Sequence, residues 1–548
     1  MTQTGRRYRR LLGVNSELYF LPRRQVLLTL SGVMLGLFLA SLDQTIVATA
    51  MPSIISDLNG FDRFTWVTTA YLAASTAVVP IVGGLTDMYG RKWFLVGGIA
   101  VFLLGSISAG FSQSMDKLIV FRAVQGLGGG VMMATSFMTV ADLFPPSERG
   151  KYMGLLSGVF GLSSIIGPTL GGLVTDSLSW HWVFFINIPI GIPVVILFVL
   201  YFPQSQPKQQ RRQLDYMGIA ALVLSVVPVL LALSWGGVQY DWVSAQVIGF
   251  LSFGLAMGVA FVLIESMTTE PIIPLAMFRS RVVSVSLLSV FLTGFPMFGA
   301  IIFIPLFFQG VLGTSATSSG SFLTPMMLGA VVASVISGQA LSRLGGHYRL
   351  QAMLGIAVTG LGIWLMSQMT PATSQGEAVV NIVIMGLGLG VTLPLYTLAV
   401  QNTVPPAMLG AATSSVQFFR SIGGVLGLAV LGSVLTNRFS SGLLNSVPSE
   451  VREAMPGGQL AELARNPQAL LNPESRQALE ASLGGPDSGL ALQLVALLRD
   501  ALSNAISDIF LIGLLLLVIA AVATLFMSRV VLHGPPVSEA APGVGEEE

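Results

Sequence analysis

Fourteen apolar runs, each long enough to cross a lipid bilayer, dominate this chain of 548 residues. A bilayer core is about 30 Å thick and takes about 20 helical residues to span. Breaking the sequence at its charged, Pro and Gly clusters places the runs at 26–51, 64–84, 93–112, 117–141, 151–175, 183–202, 216–236, 245–266, 283–309, 319–340, 350–369, 378–400, 411–436 and 503–527. The residues are 53% hydrophobic and 10% charged, against about 25% charged in a soluble domain. With a mean hydropathy of +0.78, the excess apolar surface must face lipid. The expected fold is an all-α polytopic membrane protein.

The basic residues test the count. Alternate loops hold Arg6, Arg7, Arg9, Arg10, Arg23 and Arg24, then Arg91 and Lys92, Arg149 and Lys151, Lys208, Arg211 and Arg212, Arg279 and Arg281, Arg343 and Arg349, and Arg529. The opposite short loops hold Arg63 and Lys117 alone. Lys and Arg accumulate on the cytoplasmic side of membranes, so both termini are expected there. Residues 1–25 read as a retained cytoplasmic arm, since the apolar run that follows is too long for a signal peptide. The tail 528–548 reads as disordered, being rich in Pro, Gly and Glu. The segment 437–502 reads as an outer loop with short amphipathic helices, Gln459 to Arg465 and Leu490 to Leu498 among them. It is also the place where an envelope partner would dock.

Several chemistries are excluded. There is no cysteine, hence no disulfide framework and no thiolate metal site. His181, His347 and His533 fall in loops or the tail, which argues against a histidine relay or a metal centre. A net charge of +1 is far from the dense basic surface a nucleic acid requires. No phosphate-cradling G-x-x-x-x-G-K-S/T loop is present, so no nucleotide or other cofactor is expected.

The motifs are more specific. GLTDMYGRK, Gly84 to Lys92, separates spans two and three, with Gly84 and Gly90 expected at tight helix ends and Asp87 and Arg91 as conformational charges. A weaker echo, GQALSRLGGHYR, Gly338 to Arg349, follows span ten with Ser342 in the Asp position. Span one ends LDQTIVATAMP, Leu42 to Pro52; span four carries Arg122, Gln125 and Gly126; span five carries Gly154, Ser163, Gly167, Pro168, Gly171 and Gly172. Span six opens WHWVFFINIPIG, Trp180 to Gly191, and span thirteen contains Phe418-Phe419-Arg420-Ser421-Ile422-Gly423-Gly424. In this order the motifs resemble the major facilitator superfamily, in particular its fourteen-span drug:proton antiporters of the QacA/EmrB type. The likeness covers nearly the whole chain apart from the arm, tail and outer loop, and it implies a proton gradient as the energy source. Met88 stands where the family has a basic residue, so one conformational salt bridge is expected to be missing. Ser163 and His181 stand where it has Gly and Arg.

The resemblance implies a major facilitator fold in a bacterial plasma (inner) membrane. Two six-helix bundles, 26–203 and 283–527, would flank a linker and two inserted helices at 204–282. It gives Gly167 and Pro168 a hinge or leak-barrier role, and substrate would lie near the midplane between the halves. Candidate lining groups are Gln44, Trp66, Tyr71, Gln125, Phe295, Met297, Phe298, Met326, Tyr396, Gln417 and Phe418, because aromatic and Met side chains adapt to varied lipophilic shapes.

Asp43 is the acid placed deepest in the hydrocarbon. An ionised carboxylate there costs about 2.5–3.5 kcal/mol unless paired, so it is expected either to bind the transported proton or to anchor neighbouring helices. Arg122 is the other mid-membrane charge of the first half. Burial disfavours a carboxylate and a nearby cation favours it, so moving Arg122 or a cationic cargo relative to Asp43 would load or expel a proton. Arg420 is the counterpart in the second half, with a structural role as the alternative. Glu265, Asp142 and Asp508 are expected at the interfaces. The reading is a proton-coupled exporter of lipophilic or amphiphilic small molecules working by alternating access. Its rival is an exporter of a lipid or endogenous metabolite, and a membrane enzyme or sensor fits less well. Carboxylates are missing from Pro271 to Gly376, which points to monocationic, zwitterionic or neutral cargo.

Overall fold

The computed structural model describes residues 21–58, 63–203, 215–237, 239–314, 322–343, 347–449, 451, 460 and 488–528. The N-terminal arm to residue 20, most of the linker, the stretch with Gln459 to Arg465 and the tail from residue 529 lie outside the described residues. Among the described residues fourteen helices are long and apolar enough to cross a membrane, and no strand forms beyond one isolated bridge, Gly236 to Tyr240. The chain is an all-α, multi-pass membrane protein.

Six helices make a first group: α1 (Arg23–Leu58), α2 (Phe64–Tyr89), α3 (Lys92–Gly110), α4 (Met115–Leu143), α5 (Pro146–Ser177) and α6 (Asn187–Tyr201). A helical turn, Trp182–Phe185, leads into α6. Here α1 packs on α4, α5 and α6, while α4 packs on α2 and α3. The pair α7 (Tyr216–Trp235) and α8 (Ala245–Met267) follows, with α7 against α2. A second group comprises α9 (Arg281–Leu306), α10 (Leu323–Arg343), α11 (Tyr348–Ser367), α12 (Gln375–Gln401), α13 (Leu409–Ser446) and α14 (Gly489–Leu525). In it α12 packs on α10 and α11, and α9, α13 and α14 pack on one another. The groups meet where α5 lies on α10 and α2 lies on α13.

Side-chain caps set several helix starts. Ser114, Ser244, Ser374 and Ser488 each accept from the backbone N–H three residues on, satisfying a donor that the first turn leaves open. Proline sits inside α2, α5, α6, α7, α9 and α12. It removes an intrahelical bond at each site and so bends these helices.

Two expectations need correction. Helix α2 runs on to Tyr89, so Gly84 and Asp87 are helical and the turn shrinks to Gly90, whose φ of 86° suits glycine. The outer segment is shorter than 437–502: α13 continues to Ser446 and α14 begins at Gly489, so Leu490 to Leu498 is the start of α14 and not a separate amphipathic helix. Hydrogen bonding carries these helices on where the apolar pattern has already stopped. Glu265, in the last turn of α8, is 3% exposed. The chain turns back after α8, and its Oε1 accepts from the Ile272 N–H at 3.2 Å.

Candidate functional site

Asp43 lies about 30 Å along α1 from Arg23, at 1.5 Å per residue, and is 0% exposed. Residues three apart share a helix face, so Arg122 and Gln125 of α4 reach it together. Arg122 Nη1 meets Oδ2 at 2.5 Å, and Gln125 Nε2 donates to Oδ1 at 2.7 Å. A third helix contributes Asn187 of α6, whose Nδ2 donates to Oδ1 at 3.0 Å and to Ser106 Oγ at 2.9 Å. Ser106 of α3 in turn donates to the Phe184 carbonyl at 2.8 Å. Arg122, Gln125 and Asn187 thus supply the hydrogen bonds that a buried carboxyl group requires.

Arg122, 1% exposed, is held from its other sides. It donates to Gln125 Oε1 at 2.8 Å and to the Val67 carbonyl at 3.4 Å. The Tyr71 ring lies 4.4 Å from its guanidinium carbon, within cation–π range. Tyr71 donates to the Ala40 carbonyl at 3.3 Å and is hydrogen-bonded by Gln44. The glycines of α4 permit this approach: a Cβ on Gly126 would lie 2.4 Å from the Tyr71 carbonyl oxygen. Gln44, Tyr71 and Gln125, read as cargo-lining groups, therefore surround the Asp43–Arg122 pair. Asn187 and Ser106 were not singled out from sequence. The available signal was an amide inside the apolar stretch that opens span six.

A second polar cluster ties the two groups together at the end carrying the basic loops. Asp87 of α2 accepts from the N–H groups of Gly410, at 3.1 and 2.9 Å, and Ala411, at 3.1 Å. A carboxylate thus sits on the open N-terminus of α13, where the helix dipole favours it. Arg91 faces Asp87 at 3.5 Å and Asp142 at 2.6 Å. The second contact is an ion pair without hydrogen-bond alignment, so Asp142 is a partner in this cluster. Arg149 of α5 donates to Asn402 Oδ1 at 2.9 Å, and Asn402 donates to the Tyr348 hydroxyl at 2.6 Å. Glycines make the seam close: a Cβ on Gly338 of α10 would lie 2.2 Å from the Gly150 oxygen of α5. Gly84 packs on Ile272 of the turn after α8.

Gly167 sits where a Cβ would lie 1.9 Å from Thr45 Oγ1, so α5, which Pro168 interrupts, lies close to α1 next to Asp43. Arg420 donates to Gln417 Oε1 at 3.1 Å and to the Leu393 carbonyl at 2.9 Å. The other candidates do not converge. Trp66 turns towards α7 and meets Trp235, ring centroids 4.9 Å apart. Tyr396 is 0% exposed, its hydroxyl shared with Thr524 of α14 at 2.8 Å. Met326 is buried, its backbone pressed on Gly386 of α12. Phe295 and Phe298 wedge against Gly427 and Gly424 of α13, and Met297 packs at the edge of the same core. Phe418 lies edge-on to Phe419, centroids 5.8 Å apart. Tyr396, Met326 and Phe295 are buried in helix packing, while Trp66 and Phe298 are half-buried. His181 stacks on Trp180 at 3.8 Å. Among the described residues no group of three or more His, Cys, Asp or Glu could hold a metal.

Known proteins share this organisation. The family model described as Major Facilitator Superfamily matches residues 33–428. The multidrug transporter protein MdtP of Bacillus subtilis (strain 168) is 38% identical over 511 residues, covering 92% of this chain and 93% of that protein. Multidrug resistance protein 3 of the same organism is 39% identical over 498 residues, covering 91% and 94%. Among solved structures, the proton:xylose symporter XylE is 13% identical with a TM-score of 0.58, covering 92% of this chain and 96% of that one, which speaks to fold alone. The protein belongs to the Major Facilitator Superfamily, a family of membrane transporters and not of enzymes.

Proposed function

We propose that this protein is a proton-coupled antiporter that exports lipophilic small molecules across a bacterial plasma membrane. The two similar Bacillus proteins are named for multidrug transport and resistance. The observation that carries the reading is Asp43, a carboxylate buried in a membrane-spanning helix and held by Arg122, Gln125 and Asn187. Intramembrane ionisable groups are expensive and are by default functional.

In this account the basic loops face the cytoplasm, as the Lys and Arg bias requires, and both termini lie there. The cluster around Asp87 and the glycine seam then close the cytoplasmic end. Proton arrival at Asp43 removes the charge that holds Arg122, which keeps Gln125 and the Val67 carbonyl as acceptors. Helix α4 is thereby freed to shift against α1, and the first bundle rocks against the second. Cargo arriving from the cytoplasm or inner leaflet favours the deprotonated pair. One charge moved through 100 mV supplies about 2.3 kcal/mol, enough for more than tenfold accumulation at about 1.4 kcal/mol per factor of ten.

Proteoliposomes under an imposed pH gradient test this. Asp43→Asn should abolish gradient-driven export of a lipophilic drug that the unaltered protein moves. Equal export by the variant would remove Asp43 from coupling.

A further inference from the structure

Arg420, half-buried on α13, differs from the buried guanidinium groups of the membrane domain. Arg91 faces two carboxylates, Arg122 faces one, and Arg149 meets Asn402 and the Phe144 and Ala141 carbonyls. Among the described residues Arg420 has only neutral acceptors, Gln417 Oε1 and the Leu393 carbonyl. A guanidinium carries five N–H donors, so most of its capacity is unspent. No acid is near in sequence: Pro271 to Gly376 and Ala378 to Ser449 contain no Asp or Glu.

Gln417 adds an independent sign. It is 7% exposed, gives its oxygen to Arg420, and leaves Nε2 buried with no hydrogen-bond partner. A buried donor without an acceptor costs about 1–3 kcal/mol. The two side chains lie one helical turn apart, about 17 Å into α13 from Leu409 at 1.5 Å per residue, near the middle of a 30 Å core. Both present donors in excess and no negative charge. Phe418 and Phe419 flank them with apolar surface. Asp43, in contrast, has both oxygens occupied and is 0% exposed.

We propose that Arg420 and the Gln417 amide bind an anionic group on the cargo, a carboxylate being the simplest, so that the preferred substrates are lipophilic acids or zwitterions. This deepens the export reading and rests on it for the word cargo. A carboxylate fits the guanidinium with two parallel hydrogen bonds and gives Gln417 Nε2 its missing acceptor.

The test is equilibrium binding to the purified full chain of a fluorescent aryl carboxylic acid and its methyl ester, run beside transport of both in proteoliposomes. The unaltered protein should bind the acid at least about tenfold more tightly than the ester. Arg420→Gln and Gln417→Leu should erase that preference without changing ester affinity, and Arg420→Lys should restore part of it. Equal binding of acid and ester, or a parallel loss of both in Arg420→Gln with the fold intact, would overturn the proposal. Selective acid binding with no gradient-driven movement of either compound would uphold the anion site and overturn the export reading.

Discussion

Asp43 is held by three donors on two helices, Arg122 and Gln125 of α4 and Asn187 of α6, and each donor can be removed singly. Asn187→Leu takes away the hydrogen bond to Oδ1 and leaves Ser106 without its amide partner. Loss of a donor to a buried group costs about 1–3 kcal/mol, so thermal unfolding in detergent should fall by several degrees and gradient-driven export should slow. An unshifted melting temperature with full export would show that Asn187 is a bystander. Asp43 was legible from sequence because a charge inside an apolar run stands out by its cost alone. Arg122 and Gln125 were legible as a spaced pair within a motif. Asn187 was not, because an amide near a span end usually meets headgroups, and nothing local records a contact across 144 residues. The cargo surface was legible least, since an aromatic side chain in a span packs equally well on helix, lipid or ligand.

At the scale of helices, the nine residues from Gly84 to Lys92 announced a conformational motif, but not what Asp87 does. Its partner is the N-terminus of α13, more than three hundred positions away, and a helix end carries no signature of the carboxylate that caps it. Asp87→Asn keeps the shape and removes the charge, at a cost of about 0.3–2 kcal/mol for a group on a helix N-terminus. The chain has no cysteine, so Ser334→Cys, buried where Gly154 packs against it, reports on the α5–α10 seam alone. Adding Asp87→Asn should raise its labelling rate by an impermeant maleimide several-fold, and an unchanged rate would contradict the tie. Gly338→Val is the opposite probe. Its Cβ has no room beside the Gly150 oxygen, so the variant should fold, label readily at a cysteine placed at 334, and fail to export.

For the molecule as a whole, hydropathy alone was enough to count fourteen helices, because lipid admits no irregular exposed backbone. What it hid was length beyond the membrane. Helices α13 and α14 have 38 and 37 residues, well above the roughly 20 needed to cross, and the end of the α13 apolar run meets the start of the α14 one. Arg438 and Asp508 meet there at 3.2 Å on exposed surface. Such pairs contribute about 0–1 kcal/mol, so Arg438→Ala should shift stability by less than about 1 kcal/mol and leave export unchanged, as thermal unfolding and proteoliposome assays would read. Proton exchange at Asp43 against cargo is the claim on which the transport account stands. The direct measurement is the pH change when an exported drug is added to purified protein in weakly buffered detergent. The account predicts proton release from the unaltered protein and none from Asp43→Asn; release of the same size from both would contradict it.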